Sequence, residues 1–254
     1  MGFERIVPGT VEWDAYFANH IFRYRYALQQ LRSHNKQKTL DAACGVGYGT
    51  HFLASEGTGQ LVGVDRDDDA LKIATDKFSH PSLTYLKDDC HTLENASRHG
   101  PFDSVVSFET LEHLPKPEAF LKQSFSLLEP GGILIISTPN ASVTSPGGTT
   151  DWEFHEKEYT SDELMTIIRQ SGYKDCMIYG QSYSAIGKLR QEVRAELNTI
   201  NSNPFNRAGR QIQKILKGHS QRAVLPEKIE DFEITKPEDF ITNPPFVLLA
   251  VAFK

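Results

Sequence analysis

The chain has 254 residues, a net charge of −6 and a hydrophobic share of 39%. This length accommodates one large α/β domain with a substantial core, or a domain with a sizeable insertion. The composition is that of an ordinary soluble globular protein. A negative net charge also argues against nucleic acid as a partner.

The cysteines and the apolar segments indicate a cytoplasmic protein. Cys44, Cys90 and Cys176 are far apart and no pair has C-x-x-C spacing, so we predict reduced thiols and no metal site. Residues 1–10 contain no apolar stretch typical of a signal peptide. The longest apolar run, residues 246–253, is too short to cross a bilayer and predicts a buried strand.

The predicted elements begin with one or two helices over residues 11–33, where apolar side chains recur at helical spacing. Strands are then predicted at 38–44, 59–65, 83–89, 102–109, 132–140, 174–184 and 244–254. Helices are predicted at 48–55, 68–78, 117–132 and 160–173, with Pro117 in a first turn and Ser or Thr as the N-cap of the last.

Alternation of helices with continuous apolar strands predicts an α/β fold with a doubly wound, mostly parallel sheet and helices on both faces. We expect a single domain over 1–254, with an N-terminal helical cap at 1–37 and a helical insertion at about 185–244. Residues 188–222 of this insertion are mainly basic and residues 227–239 mainly acidic. The insertion is either a cap over a substrate or a solvated helical excursion.

The stretch LDAACGVGYGT, residues 40–50, is the first candidate for ligand binding. Gly45, Gly47 and Gly49 follow a predicted strand, where glycine lets the backbone turn tightly and approach a ligand. A dinucleotide fingerprint has the spacing G-x-G-x-x-G, which these glycines do not have. The carboxylate of Asp41 is poorly placed beside a pyrophosphate and well placed beside a cation. A nucleoside with a cationic amino-acid arm fits both observations, and S-adenosylmethionine is such a ligand.

Acidic residues at the ends of the next two predicted strands favour a nucleoside. Asp65 lies twenty residues after Gly45, where an acid can accept hydrogen bonds from both ribose hydroxyls. Asp88 or Asp89 can accept from the adenine amino group, and the backbone N–H of Cys90 can bond a ring nitrogen. Together these acids complete a predicted adenosine site.

These motifs, with FDSVVSFETLEHL and LLEPGGILIISTPN, resemble the ordered motifs of class I S-adenosylmethionine-dependent methyltransferases over residues 38–175. The E-H-L motif resembles the subgroup that methylates ubiquinone precursors. RIVPG and HIFRYRYAL resemble, more loosely, methyltransferases encoded with glycan-assembly enzymes. The resemblance implies a Rossmann-like seven-stranded sheet whose last strand, here residues 244–254, is antiparallel.

The resemblance also implies roles for individual residues. Relatives have Gly-Asp-Ala where this chain has Asp88-Asp89-Cys90, and we favour Asp89 as the adenine ligand. Arg23 on the N-terminal helix is a candidate partner of the methionine carboxylate. The implied cofactor contacts are Asp41, Ala43, Gly45 and Gly47 on the methionine side, Asp65 and Arg66 at the ribose, Asp89 and Cys90 at adenine, and Phe108 and Glu109 near the methyl sulfonium or the acceptor.

Methyl transfer from a sulfonium is an in-line displacement, so the protein has mainly to align the nucleophile. A hydroxyl acceptor also needs a base, and His113 in ETLEHL is the first candidate. The alternative is a structural role, in which His113 only ties a loop to the neighbouring helix. His155 is a rival base, with Trp152, Phe154 and Tyr159 as a candidate acceptor wall or simple packing. A carboxylate acceptor would need neither histidine.

The acceptor class follows less directly from the sequence. We expect a small molecule or a glycan intermediate, and the basic part of the insertion favours an anionic one or contact with an anionic membrane surface. The main prediction is an O-methyltransferase that uses S-adenosylmethionine. The alternatives are an NAD-dependent oxidoreductase, which the glycine spacing and Asp41 disfavour, and a non-catalytic module that binds S-adenosylmethionine.

Overall fold

The computed structural model describes residues 6–150, 153–202 and 226–254. In this part of the chain one sheet of eight strands forms, with helices around it. The strands are β1 Lys38–Ala42, β2 Gln60–Asp65, β3 Leu83–Lys87, β4 Phe102–Phe108, β5 Leu128–Pro139, β6 Asp175–Tyr183, β7 Phe232–Thr235 and β8 Val247–Phe253.

The helices alternate with the strands as the sequence predicted. They are α1 Val11–Ser33, α2 Tyr48–Ser55, α3 Asp68–Lys77, α4 Glu94–Ser97, α5 Pro117–Leu127, α6 Ala141–Thr144, α7 Ser161–Gln170 and α8 Ala185–Ser202. Short 3-10 turns form at Leu111–His113, Ile229–Asp231 and Pro237–Asp239. The N-terminal segment is therefore one helix rather than two.

The strand order is β3-β2-β1-β4-β5-β8-β6-β7. β1 to β5 pair in parallel with one another, and β8 is antiparallel to both β5 and β6. The predicted α/β class and antiparallel last strand are confirmed. The predicted count of seven strands is wrong by one, because the four residues of β7 add an edge strand. They lie inside the predicted helical insertion and are too few to give a period-2 signal.

Helix capping follows local sequence chemistry. The carboxylate of Asp67 accepts the backbone N–H groups of Asp69 and Ala70 at 2.8 and 3.2 Å and begins α3. Thr160 and Glu163 form a reciprocal capping box at α7. This confirms the predicted Ser or Thr cap and identifies it as Thr160.

The boundary between α5 and β5 differs from the prediction. The sequence predicted a helix that stops at Pro130-Gly131-Gly132, but α5 ends at Leu127 and β5 begins at Leu128. The residue before a proline is disfavoured in helical conformation. Glu129 therefore adopts extended backbone, and the strand begins four residues earlier than predicted.

The chain divides into two compact units. The larger contains residues 23–182 and 234–254, and the smaller contains residues 1–22 and 183–233. In the smaller unit, Arg190 pairs with Asp231 at 2.7 Å and Arg194 with Glu227 at 3.5 Å. Part of the basic half of the insertion is thus neutralised by its acidic half, and the basic residues at 207–222 lie outside the described residues. The single-domain organisation with a cap at 1–37 stays a prediction.

The core of the larger unit contains residues from strands on both sides of β1 in the sheet. Leu40, Val64, Phe102 and Leu134 are fully buried on four adjacent strands. Full burial of each such side chain contributes about 1.5–3 kcal/mol. This core fixes the strand ends that carry the predicted site. Among the described residues, no helix has the length and apolarity needed to cross a membrane.

Gly49 is required for packing rather than for ligand approach. A Cβ at this position would lie 1.9 Å from the ring of Tyr24. We expect Gly49→Ala to destabilise the fold by about 1–3 kcal/mol, the usual cost of overpacking, measured by urea unfolding. Gly147→Ala is the control, because a Cβ at Gly147 would meet nothing within 4 Å. Equal stabilities of the two variants would contradict this role of Gly49.

Candidate functional site

The predicted ligand residues meet where the strand order reverses. β1 lies between β2 and β4, so the chain proceeds from β1 toward β3 on one side and through β4 toward β5 on the other. In open α/β sheets this switch point, at the carboxyl ends of the strands, forms the ligand crevice. The ends of β1, β2, β3 and β4 carry the loop after Asp41, then Asp65, Asp89 and Glu109.

The loop after β1 is held in left-handed backbone conformations. Ala43, Gly45 and Gly47 have φ values of 60°, 58° and 84°. The side chain of Ala43 makes this conformation cost about 1–2 kcal/mol. A Cβ on Gly45 would meet nothing within 4 Å, whereas one on Gly47 would clash with Tyr85. Gly45 therefore faces open space that a ligand can use, and Gly47 is required by packing as well as by the turn.

Asp41 is completely buried and already hydrogen-bonded. Its carboxylate accepts from Thr50 Oγ1 at 2.6 Å and from the Tyr24 hydroxyl at 3.1 Å. Burial raises the pKa of Asp41 to about 7, although these two hydrogen bonds lower it. Asp41 thus ties α1 and α2 to β1. Its contact with a cationic cofactor arm stays a prediction.

Asp65 shapes the same loop from the end of β2. Its carboxylate accepts the backbone N–H of Gly45 at 2.9 Å and that of Asp67 at 3.0 Å. The side chain is 4% exposed. One oxygen of Asp65 thus holds the glycine loop, and the other holds the start of α3. These bonds fix the carboxylate in position, and recognition of a ribose requires such a fixed acceptor.

The structure separates the two aspartates after β3. Asp88 is buried, and its carboxylate accepts the N–H groups of Ala96 and Asp89 at 2.8 and 2.9 Å. Asp89 is exposed, and hydrogen bonds from His91 lower its pKa, with the charge of Arg66 contributing. Burial raises the pKa of the neighbouring Cys90 thiol to about 12. Asp88 is therefore committed to α4, which supports Asp89 as the adenine ligand.

Arg23 and Glu109, both predicted near the cofactor arm or methyl group, lie together. Arg23 is 2% exposed, and its Nη2 is 3.8 Å from Glu109 Oε2. Glu109 has a left-handed φ of 50° and accepts the Ser137 hydroxyl at 2.7 Å. Beside them the rings of Tyr24 and Phe108 meet edge to face, with centroids 4.9 Å apart. Strained backbone of this kind is often kept at functional sites.

The two candidate bases, forty-two residues apart in sequence, come into contact. The rings of His113 and His155 are 4.9 Å apart and nearly perpendicular. Nδ1 of His113 donates to the Phe154 carbonyl at 2.8 Å, which leaves the lone pair on Nε2. Nδ1 of His155 bonds Glu158 Oε1 at 2.7 Å. His113 thus ties a loop, as the structural alternative held, while keeping a basic nitrogen available.

Glu112 belongs to this cluster and was not predicted. Its side chain is 1% exposed, and one oxygen accepts the Thr138 hydroxyl at 3.0 Å. The other oxygen is 3.9 Å from Nε2 of His113 and has no hydrogen-bond partner among the described residues. Burial, and then the charge of Glu109, raises the pKa of Glu112. The E-H pair was the available signal, but sequence alone does not show which member turns inward.

The predicted acceptor wall is not supported as a unit. Tyr159 is 3% exposed and packs in the core, so its predicted alternative role in packing is the one observed. Phe154 is exposed. Trp152 lies outside the described residues.

The residues at this edge of the sheet fit a nucleoside. Open space above Gly45, a fixed acid at Asp65 and an exposed acid at Asp89 follow the crevice in order. The left-handed loop after β1 does not present the G-x-G-x-x-G arrangement that cradles a pyrophosphate. Fold and site together define a nucleoside-binding α/β protein of the doubly wound type.

The chain belongs to the methyltransferase domain family, whose model matches residues 18–178. It is 28% identical, over 67% of its own length, to a probable S-adenosylmethionine-dependent methyltransferase of Mycolicibacterium smegmatis. It covers 64% of that relative. It is also 30% identical, over 65% of its length and 75% of the relative, to the ubiquinone biosynthesis O-methyltransferase of Vibrio parahaemolyticus.

Solved structures agree on the fold. A Thermotoga maritima protein, described as an S-adenosylmethionine-dependent methyltransferase and possible histamine N-methyltransferase, matches with a TM-score of 0.59 at 14% identity. The match covers 94% of this chain and 93% of that one. The [4+2]-cyclase SpnF matches with a TM-score of 0.54 at 16% identity, covering 91% and 82%. The cofactor of the family is S-adenosyl-L-methionine, and the NAD alternative is set aside.

Proposed function

We propose that this protein transfers the methyl group of S-adenosylmethionine to a hydroxyl oxygen of a small molecule. The observation that carries the proposal is the contact of His113 and His155 beside the end of β4, on the side of the crevice away from Asp65 and Asp89. The residues proposed to contact adenosine and the polar cluster thus lie on opposite sides of the switch point. The sulfonium of the bound cofactor supplies an already activated methyl group.

The chain's own residues have three tasks in this reaction. Asp65 and Asp89 orient the nucleoside from the ends of β2 and β3. Arg23 neutralises the negative charge of Glu109 and pairs with the carboxylate of the cofactor's methionine arm. His113, with the lone pair on Nε2, activates the acceptor hydroxyl. The named relative from Vibrio supports oxygen as the methylated atom.

The acceptor is proposed to be a phenol-type or sugar hydroxyl rather than a carboxylate. A carboxylate is already deprotonated and needs no base, so the two adjacent imidazoles would have no role in its methylation. The sequence resemblance to glycan-cluster enzymes keeps a glycan intermediate among the candidates. The internal pairing of Arg190 and Arg194 removes part of the support for an anionic acceptor.

The binding step is tested by calorimetric titration with S-adenosylmethionine, S-adenosylhomocysteine and NAD. We expect the first two to bind with one equivalent per chain and NAD not to bind. Transfer is then tested with labelled cofactor against catechols, polyprenylated phenols and nucleotide sugars. NAD binding without S-adenosylmethionine binding would refute the proposal.

His113→Ala tests the acceptor side separately from the cofactor side. We expect turnover to fall at least about 100-fold, the usual range for loss of an acid–base group, with cofactor affinity changed less than about threefold. Single-turnover transfer and calorimetry measure the two quantities. Turnover within a few-fold of the wild type would leave His113 with only its structural bond to Phe154.

A non-catalytic role is the second candidate, because the contacts proposed for Asp65 and Asp89 hold a nucleoside without requiring methyl transfer. In that case the protein binds S-adenosylmethionine without transferring its methyl group. This candidate would be favoured if the protein binds the cofactor but transfers labelled methyl to none of the acceptors tested.

A further inference from the structure

We propose that His91 is a positioning residue for the adenine ring of S-adenosylmethionine and acts through the carboxylate of Asp89. His91 lies in the turn between β3 and α4, two residues after Asp89. The inference rests on the predicted contact between Asp89 and the adenine amino group. It is independent of the acceptor and of the proposed methyl transfer to a hydroxyl.

Two donors of His91 converge on one oxygen of Asp89. The backbone N–H of His91 donates to Asp89 Oδ1 at 2.7 Å, and Nδ1 of its ring bonds the same oxygen at 2.8 Å. Nδ1 carries the proton of this bond, because an ionised carboxylate only accepts. Both bonds hold the pKa of Asp89 below its ordinary value, so the carboxylate is ionised at neutral pH.

The ring of His91 has Asp89 as its polar anchor. Its Nε2 is buried and has no hydrogen-bond partner among the described residues. The side chain of His91 is 28% exposed, compared with 56% for Asp89. An exposed side chain samples several rotamers, and fixing one of them when a ligand binds costs free energy. The bond from the more buried imidazole selects one rotamer of Asp89 before the cofactor binds.

The backbone of Asp89 is fixed separately, by Asp88. The carboxylate of Asp88 accepts the N–H of Asp89 at 2.9 Å and that of Ala96 at 2.8 Å. The backbone N–H of Asp88 donates in turn to the carbonyl of Asp65 at 3.0 Å, at the end of β2. Asp88 therefore determines where the main chain of Asp89 lies, and His91 determines where its carboxylate lies.

This arrangement leaves one acceptor and one donor for a ligand. In the part of the chain that the structure describes, no hydrogen bond reaches Oδ2 of Asp89, since both donors bind Oδ1. Within the same residues the backbone N–H of Cys90 donates to no carbonyl. An acceptor beside a donor is complementary to the edge of adenine, where an amino group lies beside an unprotonated ring nitrogen.

Hypoxanthine presents the reverse pattern at that edge, with a carbonyl oxygen in place of the amino group and a protonated ring nitrogen. A carboxylate fixed by His91 would face this carbonyl, and the N–H of Cys90 would face another N–H. Fixed polar groups that meet the wrong partner reject a ligand strongly. A carboxylate free to rotate would turn into solvent and reject it less. His91 is therefore expected to set the selectivity for adenine as well as the affinity.

The test compares S-adenosylhomocysteine with S-inosylhomocysteine by calorimetric titration of the full chain. We expect the wild type to prefer the adenine ligand by at least about 100-fold, as sites built on fixed hydrogen-bonding groups do. His91→Phe keeps a ring and removes the Nδ1 donor, so the preference should fall at least about fivefold. His91→Asn supplies an amide N–H in place of the Nδ1 donor and should retain most of the preference.

His99→Phe is the matched control, because His99 lies at an exposed position after α4. This variant should have the preference of the wild type. Circular dichroism shows whether each variant is folded, and His91→Ala repeats the test without the bulk of a second ring. A loss of affinity that is equal for both ligands in the His91 variants overturns the positioning role.

Asp89→Ala separates the role of His91 from the assignment on which it depends. If Asp89→Ala lowers the preference for adenine and the His91 variants do not, the role of His91 is wrong and the adenine contact stands. If Asp89→Ala also leaves the preference unchanged, both are wrong. None of these titrations requires methyl transfer, so their failure is distinct from failure of the proposed function.

Discussion

Replacement of Asp65 by alanine is expected to weaken S-adenosylmethionine binding by at least about 100-fold. In the proposed complex one carboxylate accepts both ribose hydroxyls, and hydrogen bonds to a charged group contribute about 1.5–3 kcal/mol each. The loss also removes the acceptor of the Gly45 N–H, so the loop that faces the cofactor is loosened. Calorimetry or equilibrium dialysis with labelled cofactor measures the effect.

Two further variants make the Asp65 result specific. Asp69→Ala removes the same charge from an exposed position in the first turn of α3 and should leave affinity within about twofold. Asp65→Asn retains one acceptor oxygen and should give an intermediate loss. If Asp65→Ala, confirmed as folded, binds the cofactor like the wild type, the ribose assignment is wrong.

Fold stability should fall as the pH rises from about 4 to about 7 because of Asp41. Burial raises the pKa of Asp41 from 3.8 to about 7, so the folded state holds a proton that the unfolded chain releases across this interval. The contribution is fully present below the unfolded pKa and is lost by pH 7. Three pKa units correspond to about 4 kcal/mol.

The measurement compares urea unfolding of the wild type and Asp41→Asn at several pH values. The difference in unfolding free energy should move in favour of Asn by about 4 kcal/mol between pH 4 and pH 7.5. Thr50→Val removes a hydrogen bond that lowers the pKa of Asp41 and should extend the interval to higher pH. Parallel pH curves for the wild type and Asp41→Asn would contradict a buried, titrating Asp41.

Much of the sheet was predictable because its signals are local. Five parallel strands appear as short stretches that contain apolar residues, and each is followed by glycine, an acid or a capping residue within a few positions. β2 ends at Asp65, as predicted from its sequence. β7 was missed because four residues inside a polar insertion carry no such signal. The order of acids along three strands was enough to predict a ligand that contains adenosine.

The roles of individual residues were decided by packing. Asp88 and Asp89 are chemically identical in sequence, and only the position of α4 commits the first to backbone N–H groups. The burial of Asp41 and its hydrogen bond from Tyr24 were likewise not predicted, and its contact with a cationic arm stays a prediction. Such distinctions depend on which side chains become buried, and periodicity does not report this.

The amino-acid sequence by itself determined the α/β class and the cofactor, and it predicted the edge of the sheet where the cofactor binds. Those properties depend on strand periodicity and on residue types at strand ends. Only the tertiary structure brought Glu112, His113 and His155 within 4.8 Å. Their proximity arises from backbone hydrogen bonds between a turn and a loop some forty residues later in the chain, and no local pattern encodes such long-range pairing.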